Sequence, residues 1–316
     1  MARFIVRRVI FLVATLFAVS VLAFVVPYLG ETDPARQILR ARLGGELALD
    51  PATVEAVRRQ FGLDQPVPVQ YLRWLEAAVS GDFGSSYTNR QPVIGIIARG
   101  LGVSFVLALS ALLLATIIAV PLGILAALKP GGRRDSSIIL LTQGLVALPE
   151  YWLAPLGMLV FALWLGWLPA AGWSSPVSVI LPAGVLALRP LAYLLGVTRA
   201  SMITVLESPY ITAARSRGLS QLLTLRRHGL KNAMVPVMTL FSIWLAGTLG
   251  GSVVIEVIFA IPGLGRVMYD AVTNGDMPVL QAGIIATVGL AIVVNTLTDI
   301  GYALLNPAIV VGDSNG

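Results

Sequence analysis

Residues 101–128 read LGVSFVLALSALLLATIIAVPLGILAAL, 28 positions without one charged side chain. A helix that crosses a bilayer needs roughly 20 mostly apolar residues, because inside the hydrocarbon every backbone N–H and C=O must be satisfied within the segment. This run meets that length with residues to spare. Outward from it, five further runs of the same kind occupy 9–29, 137–168, 177–198, 233–255 and 279–305, so six spans are expected. The run 137–168 is too short for two crossings, and Pro149 inside it predicts a kink or break. Composition agrees: 57% of the 316 residues are hydrophobic and 12% are charged, with a mean hydropathy of +0.85. An ordinary soluble domain has roughly 45–50% and 25%. No water-soluble fold of this size has a core able to hide that much apolar side chain, which excludes a soluble enzyme. The fold class expected is an all-α integral membrane protein with six transmembrane helices.

Arg3, Arg7 and Arg8 precede the first run. That run exceeds the roughly 7–15 apolar residues of a signal peptide and no small-residue cleavage site follows it, so it reads as a retained first helix. With the N-terminus inside, the inner segments hold Arg3, Arg7, Arg8, Lys129, Arg133, Arg134, Arg199, Arg215, Arg217, Arg226, Arg227 and Lys231, which is 12 of the 22 basic residues. The segment 30–100 carries eight residues of each sign, and the loop 256–277 sets Arg266 against Glu256, Asp270 and Asp276. An excess of Lys and Arg in the inner loops specifies N-in, C-in. The net charge of +6 is therefore a matter of topology. A lipid bilayer is the expected surroundings and nucleic acid is not an expected partner.

Between the spans two regions stand out. In 30–100, Asp33-Pro34 and Asp50-Pro51 each look like an N-cap followed by proline at the first helical position. Gly44-Gly45 and Phe61-Gly62 read as the stops, and a third helix over 68–79 ends before Gly81. Three short helices of mixed charge form a small cap on the outer face, and 92–99 leads back toward the membrane. On the inner side, within 199–232, Ser208-Pro209 starts a helix that stops at Gly218, and a basic helix over 221–230 continues into the fifth span. The domain organisation expected is 1–29, the cap 30–100, a five-helix core 101–310 holding the inner loop 199–232, and a tail 311–316.

Chemistry that would mark a catalyst is missing. There is no cysteine and one histidine, His228, so thiolate catalysis and a histidine metal cluster are excluded. No G-x-x-x-x-G-K-[ST] cradles a phosphate, no G-x-S-x-G elbow is present, and Glu150 and Glu256 form no paired-carboxylate site. Gly247–Gly251 reads as close helix packing and Pro262-Gly263-Leu264-Gly265 as a tight turn. No catalytic residue and no metal site are expected.

The inner loop reads Tyr210-Ile211-Thr212-Ala213-Ala214-Arg215-Ser216-Arg217-Gly218-Leu219. This resembles the cytoplasmic loop of binding-protein-dependent ABC importer permeases, E-A-A-x3-G-x9-I-x-L-P. Thr212, Ala213 and Ala214 fall on E-A-A, Gly218 on the glycine and Leu230 on the leucine, whereas His228 and Lys231 depart from the pattern. Further stretches are similar to the dipeptide/oligopeptide/nickel branch and to its B-type subunit. They are Phe61-Gly62-Leu63-Asp64-Gln65-Pro66 with Val69-Gln70-Tyr71, and Gly81-Asp82-Phe83-Gly84-Ser85-Ser86-Tyr87. Ile258-Phe259-Ala260-Ile261-Pro262-Gly263-Leu264-Gly265, and Asp299, Tyr302 and Asn306-Pro307 complete the set. The resemblance runs from Arg3 to about Val310. It implies a non-catalytic subunit of the bacterial or archaeal cytoplasmic membrane, carrying peptides or a related small solute. Its implied partners are a second, homologous permease subunit, two cytoplasmic ATPases or one fused ATPase, and an extracytoplasmic solute-binding protein. No cofactor is implied on this chain, ATP and Mg residing on the ATPases. The loop around Tyr210, Thr212, Ala213, Ala214, Arg215, Arg217 and Gly218 becomes the ATPase-coupling helix. The alternative class is a stand-alone secondary transporter or channel, to which the scarcity of intramembrane charge is unfavourable.

Individual residues follow. Arg189, about ten residues from the inner end of the fourth span, lies roughly 15 Å deep at 1.5 Å per residue. A charge there faces a cavity or a partner. It is a translocation-path candidate for an anionic group of a solute, or else a structural partner of Glu150 or of backbone carbonyls exposed by Pro190 or Pro149; Glu150, beside Pro149, is likewise a path candidate or a structural partner. Glu256, Pro262, Gly263 and Gly265 are candidates for an outer gate or for a capped turn at the interface. Asp299 is expected to pair with inner-loop arginines, His228 to sit at the foot of the fifth span, and Trp164, Trp167 and Trp173 to form an outer aromatic belt.

Overall fold

The computed structural model describes residues 2–25, 28, 33–43 and 50–305. In chain order the α-helices are α1 Ala2–Val25, α2 Pro34–Leu43, α3 Pro51–Gln60, α4 Val67–Val79, α5 Val93–Ala127, α6 Arg133–Ala147 and α7 Glu150–Gly157. They continue as α8 Ile180–Leu206, α9 Pro209–Ser216, α10 Gln221–Thr224, α11 Leu230–Gly251, α12 Val253–Ile258, α13 Leu264–Asn274 and α14 Met277–Leu305. No strand occurs among the described residues; one isolated bridge joins Ser85 and Pro92. Four helical stretches are long and apolar enough to cross a membrane: Val93–Ala127, Pro176–Leu206, Leu230–Gly251 and Met277–Leu297. Val9–Val25 and Glu150–Trp164 are shorter apolar helices.

The differences from the hydropathy reading have local causes. The third run breaks at Pro149, whose extended backbone (ψ 140°) caps α7. The break is the one Pro149 predicts; beyond α7 the run continues as a π-helical turn, Met158–Trp164. The fifth run also breaks, at Ser252, so that α12 is a separate short helix. The outer segment 256–277, expected to be loop, contains α13, an amphipathic helix whose periodicity is hidden from a search for uniformly apolar runs.

The chain packs as two compact units, Met1–Ser104 with Pro262–Thr296 and Phe105–Ile261 with Leu297–Gly316. In the first, Asp33 does two jobs. Its Oδ1 accepts from the Ala35 amide at 3.0 Å and so starts α2, while its Oδ2 pairs with Arg58 of α3 at 2.5 Å. Ala35, Ile38 and Leu39 then bury against Val54 and Val57. A second core joins Val93 and Ile97 at the start of α5 to Leu264 and Ala271 of α13 and to Val279 and Leu280 of α14. Gly44-Gly45, the expected stop of α2, lies outside the described residues.

In the second unit α8 is the central helix, packed against α11, α6 and α7. Small residues let helices approach there. Ala108, Ala111, Ala115 and Ala119 recur at helical spacing along α5 and are fully buried. At Gly123 a Cβ atom would stand 2.7 Å from Thr198 Cβ and 2.9 Å from the Leu195 carbonyl oxygen of α8. Gly102, on the same helix, has nothing within 4 Å of such an atom. Gly123→Ala is therefore expected to destabilise the chain by about 1–3 kcal/mol through overpacking. Gly102→Ala should be neutral or stabilising by up to about 1 kcal/mol through helix propensity. Thermal unfolding of the two purified variants in one detergent compares them directly, and equal midpoints would exclude the close α5–α8 approach.

Candidate coupling and path sites

The inner loop is built around Ser208. Its backbone is extended (ψ 146°), Pro209 follows at the first helical position, and its carbonyl accepts from the Ile211 and Thr212 amides at 3.1 and 3.2 Å. The Ser208 hydroxyl donates back to the Val205 carbonyl at the end of α8, which fixes the turn between the two helices. α9 then turns Ile211 and Ala214 inward, both buried, and leaves Tyr210, Thr212, Ala213, Arg215, Arg217 and Gly218 exposed. Tyr210 accepts a hydrogen bond from Asn232 Nδ2 at 3.0 Å, which ties α9 to the foot of α11. Gly218 ends the helix at φ +85°, a left-handed conformation that a β-branched residue resists. Of the two adjacent alanines, Ala213 faces outward and Ala214 is part of the loop's own packing. The basic helix expected over 221–230 is instead α10 followed by a π-helical turn, Leu225–Gly229. The side chains of Arg226, His228 and Asp299 lie outside the described residues, as does Asn306-Pro307.

Beneath this loop lies a contact the residue-by-residue reading missed. Asp135, at the start of α6 and nearly fully buried, accepts from Arg199 Nε at 2.6 Å and Nη2 at 2.7 Å, and from the Gly131 amide at 2.7 Å. The Arg199 guanidinium holds the Asp135 carboxyl below the usual carboxylate range. Arg199 had counted only as one more inner positive charge. An aspartate just inside a basic turn was the available signal, but its partner is 64 residues away.

Arg189 lies near the middle of the helical stretch Pro176–Leu206. That is farther from the helix end than the span limits suggested, because α8 continues eight residues past Thr198. Its Nε stands 3.7 Å from Glu150 Oε1 of α7, and the arginine side chain remains 49% exposed. The two path candidates are thus brought together, by the break at Pro149 that starts α7. Glu256 is fully buried and accepts from the Ser252 hydroxyl at 2.7 Å, an i, i+4 bond within the broken end of the fifth run. Pro262, Gly263 and Gly265 belong to the other unit. There the Leu264 amide donates to Ser104 Oγ at 2.8 Å, and a Cβ on Gly100 would approach the Leu264 backbone to 3.1 Å. Each gate candidate is held inside its own unit. Trp164 and Trp167 are exposed and Trp173 partly so.

Asp276 is a second missed carboxylate. Buried before α14, it accepts from the Ser86 hydroxyl and from the Tyr87 and Thr88 amides at 3.1 and 3.3 Å. The motif stretch Gly84-Ser85-Ser86-Tyr87 is thereby clasped to a residue that sequence reading treated as a loop charge. Burial, reinforced by the Asp276 charge, pushes the Tyr87 phenol up to about 12.

Two family models match the chain. Residues 119–311 match "Binding-protein-dependent transport system inner membrane component", and residues 1–108 match the N-terminal part of the membrane component of such systems. The chain belongs to this family of inner membrane transport components. Among its relatives, the glutathione transport system permease protein GsiC of Escherichia coli (strain K12) is 37% identical over 309 residues, covering 98% of this chain and 99% of that protein. A putative peptide transport system permease protein of Brucella abortus (strain 2308) is 37% identical over 317 residues, with the same coverages. Among solved structures, an inward-facing MetNI methionine ABC transporter chain superposes with a TM-score of 0.58. It covers 67% of this chain and 97% of its own length at 16% identity, a likeness of fold. The chain is accordingly a permease subunit of an ABC importer and a multi-pass protein of the cytoplasmic membrane. That sets aside a stand-alone secondary transporter or channel.

The Tyr87 environment makes a pH prediction. A phenol whose folded pKa is raised from 10.0 to about 12 contributes stability that is complete below pH 10 and is lost as pH rises toward 12. Wild-type unfolding midpoints should fall more steeply between pH 10 and 12 than those of Tyr87→Phe. Coincident profiles would place the phenol in water.

Proposed function

We propose that this subunit carries peptides or a related small solute. It crosses the cytoplasmic membrane of a bacterium or archaeon six times, N-in and C-in. Residues 1–29 form the first crossing, 30–100 an extracytoplasmic cap, 101–310 the permease core and 311–316 a tail. It pairs with a second, homologous permease subunit, receives solute from an extracytoplasmic binding protein, and is driven by two ATPase subunits or one fused ATPase. ATP and Mg bind those subunits, and this chain supplies no catalytic residue. Supporting the six-span reading are the six apolar helical stretches; supporting the solute class are the peptide and glutathione permease relatives.

One observation carries the coupling reading. α9 is a short helix anchored from within by Ile211 and Ala214 and from the side by Tyr210, so that Thr212, Ala213 and Arg215 face outward before the left-handed stop at Gly218. A small, basic, outward face on a fixed helix fits a groove with an acidic rim on a partner. Movement of that partner is transmitted to α8 and α11, to which the loop is bonded at both ends. Ala213→Glu places an unpaired charge in the packed contact. At several kcal/mol, this should weaken ATPase association about a hundredfold or leave ATP hydrolysis running without uptake. Ala214→Glu should disturb the loop itself and lower the unfolding midpoint, and Gly218→Val should impose strain of about 1–3 kcal/mol. Reconstitution of each variant with its partners, comparing ATP hydrolysis with uptake, is the test. Wild-type assembly and uptake by Ala213→Glu would reduce the loop to a charged tether.

Arg189 is assigned to the path as a contact for a peptide carboxylate, on the ground that its guanidinium is only loosely engaged by Glu150 at 3.7 Å. Arg189→Gln should raise the half-saturating concentration for a free peptide about tenfold and leave that for the C-terminal amide unchanged. Equal effects on both solutes would assign the arginine to the Glu150 pair alone.

A further inference from the structure

The first unit holds a cavity of about 310 Å³ that none of the residues discussed for coupling or for the path touches. Its walls are aromatic, with Phe24 at the end of α1, Phe61 after α3, Trp74 of α4 and Tyr87 among its lining rings. Phe24 and Trp74 stand 5.7 Å apart between centroids, and Phe61 and Tyr87 5.8 Å. A space of this size lies at the small end of ligand pockets, which combine apolar walls with a few placed polar groups.

Three carboxamides, those of Gln37, Gln70 and Gln281, line it, and the last two behave differently. Gln70 is fully engaged: its Oε1 accepts from the Tyr28 hydroxyl, and its Nε2 donates to the Leu63 and Gln65 carbonyls at 3.4 and 2.7 Å. Gln281, one turn into α14, is only 8% exposed and lines the cavity, yet neither end of its carboxamide bonds to any described residue. The residue is buried as a whole, but its carboxamide opens on the cavity with both ends available to a ligand. A primary carboxamide offers an acceptor and donors side by side, and the group that answers both at once is a peptide unit. A carboxylate accepts but does not donate. The single charged side chain among the described lining residues is Arg73, whose guanidinium reaches across Gly62, with Nη1 3.8 Å from where a Cβ on that glycine would be. A guanidinium there favours an anionic group on any ligand that enters.

We infer that this cavity is a binding site for a peptidyl carboxylate: one peptide unit paired with Gln281, an apolar side chain between the rings, and a free carboxylate at Arg73. Binding here does not depend on which solute the importer carries, so its failure would leave the transport reading standing, and uptake is measured separately.

The test uses the full chain in nanodiscs and three probes, N-acetyl-Ala-Leu, its C-terminal amide, and octanoate, read by tryptophan fluorescence. N-acetyl-Ala-Leu should give a saturable change that disappears in Trp74→Phe. Gln281→Leu removes an unbonded carboxamide at similar volume, so its unfolding midpoint should equal or exceed that of wild type while affinity falls about tenfold or more. Arg73→Gln should abolish the preference for the carboxylate over the amide. If Gln281→Leu fails to fold, Gln281→Met carries the same expectation. The inference is overturned by no saturable change up to about 10 mM, a bound of very weak affinity. A signal surviving Trp74→Phe, unchanged affinity in Gln281→Leu, or octanoate binding as tightly as the peptide would each overturn it as well.

Discussion

A carboxylate taken out of water must be met by a cation in good geometry or the fold around it fails. Asp135 meets that condition with two bonds from Arg199 and one from the Gly131 amide. The pair locks the start of α6 to α8 in the helix's last two turns, between the mid-helix Arg189 and the turn at Ser208 that begins α9. The inner loop therefore hangs from a helix whose lower end cannot rotate independently of α6. On the coupling role proposed for this loop, such a fixture is required, since a helix free to twist about its axis would absorb the movement.

Three aspartates follow the same economy. Asp33, Asp135 and Asp276 each gather a backbone amide as well as a side-chain partner, so each closes a turn while joining distant segments. Glu256 is satisfied locally by Ser252 where the fifth apolar run breaks. Arg189 and Glu150 are held more loosely, with a longer separation and a half-exposed guanidinium. Their looseness sets this pair apart from the tight pairs that hold helices together.

Much of the loop around α9 was legible beforehand because its devices are local. Ser208-Pro209 starts a helix, Gly218 stops it, and both lie within ten residues of everything they govern. The orientation of Ala213 and Ala214 was not legible. Adjacent helical positions point about 100° apart, and which of the two faces the chain depends on where α10 and α11 pack. The clasp between Asp276 and the Ser86 segment escaped for a related reason: its members are some 190 residues apart, and nothing about either one announces the other. Similarly, α13 is amphipathic, and a search tuned to uniformly apolar runs passes over it.

Hydropathy by itself determined that this chain lives in a membrane, where its apolar runs lie, and which loops carry the basic charge, whereas α5 begins eight residues before the run read from 101 and α8 ends eight after the run read to 198. These are properties of consecutive residues against a solvent, and they hold whatever the packing. The loop motif and its companions determined the transporter class for the same reason, being short and contiguous. The break at Pro149 was legible from the proline itself; tertiary structure alone decided that the fifth run divides at Ser252, that Glu150 is the partner Arg189 meets, that Asp135 meets Arg199, and that Gln281, bonded to no described residue, faces an aromatic-lined cavity. Each of those depends on which helix faces touch, and in a bilayer that choice rests on close contact between small residues such as Gly123 against Thr198 rather than on hydrophobicity, which is nearly uniform around every span.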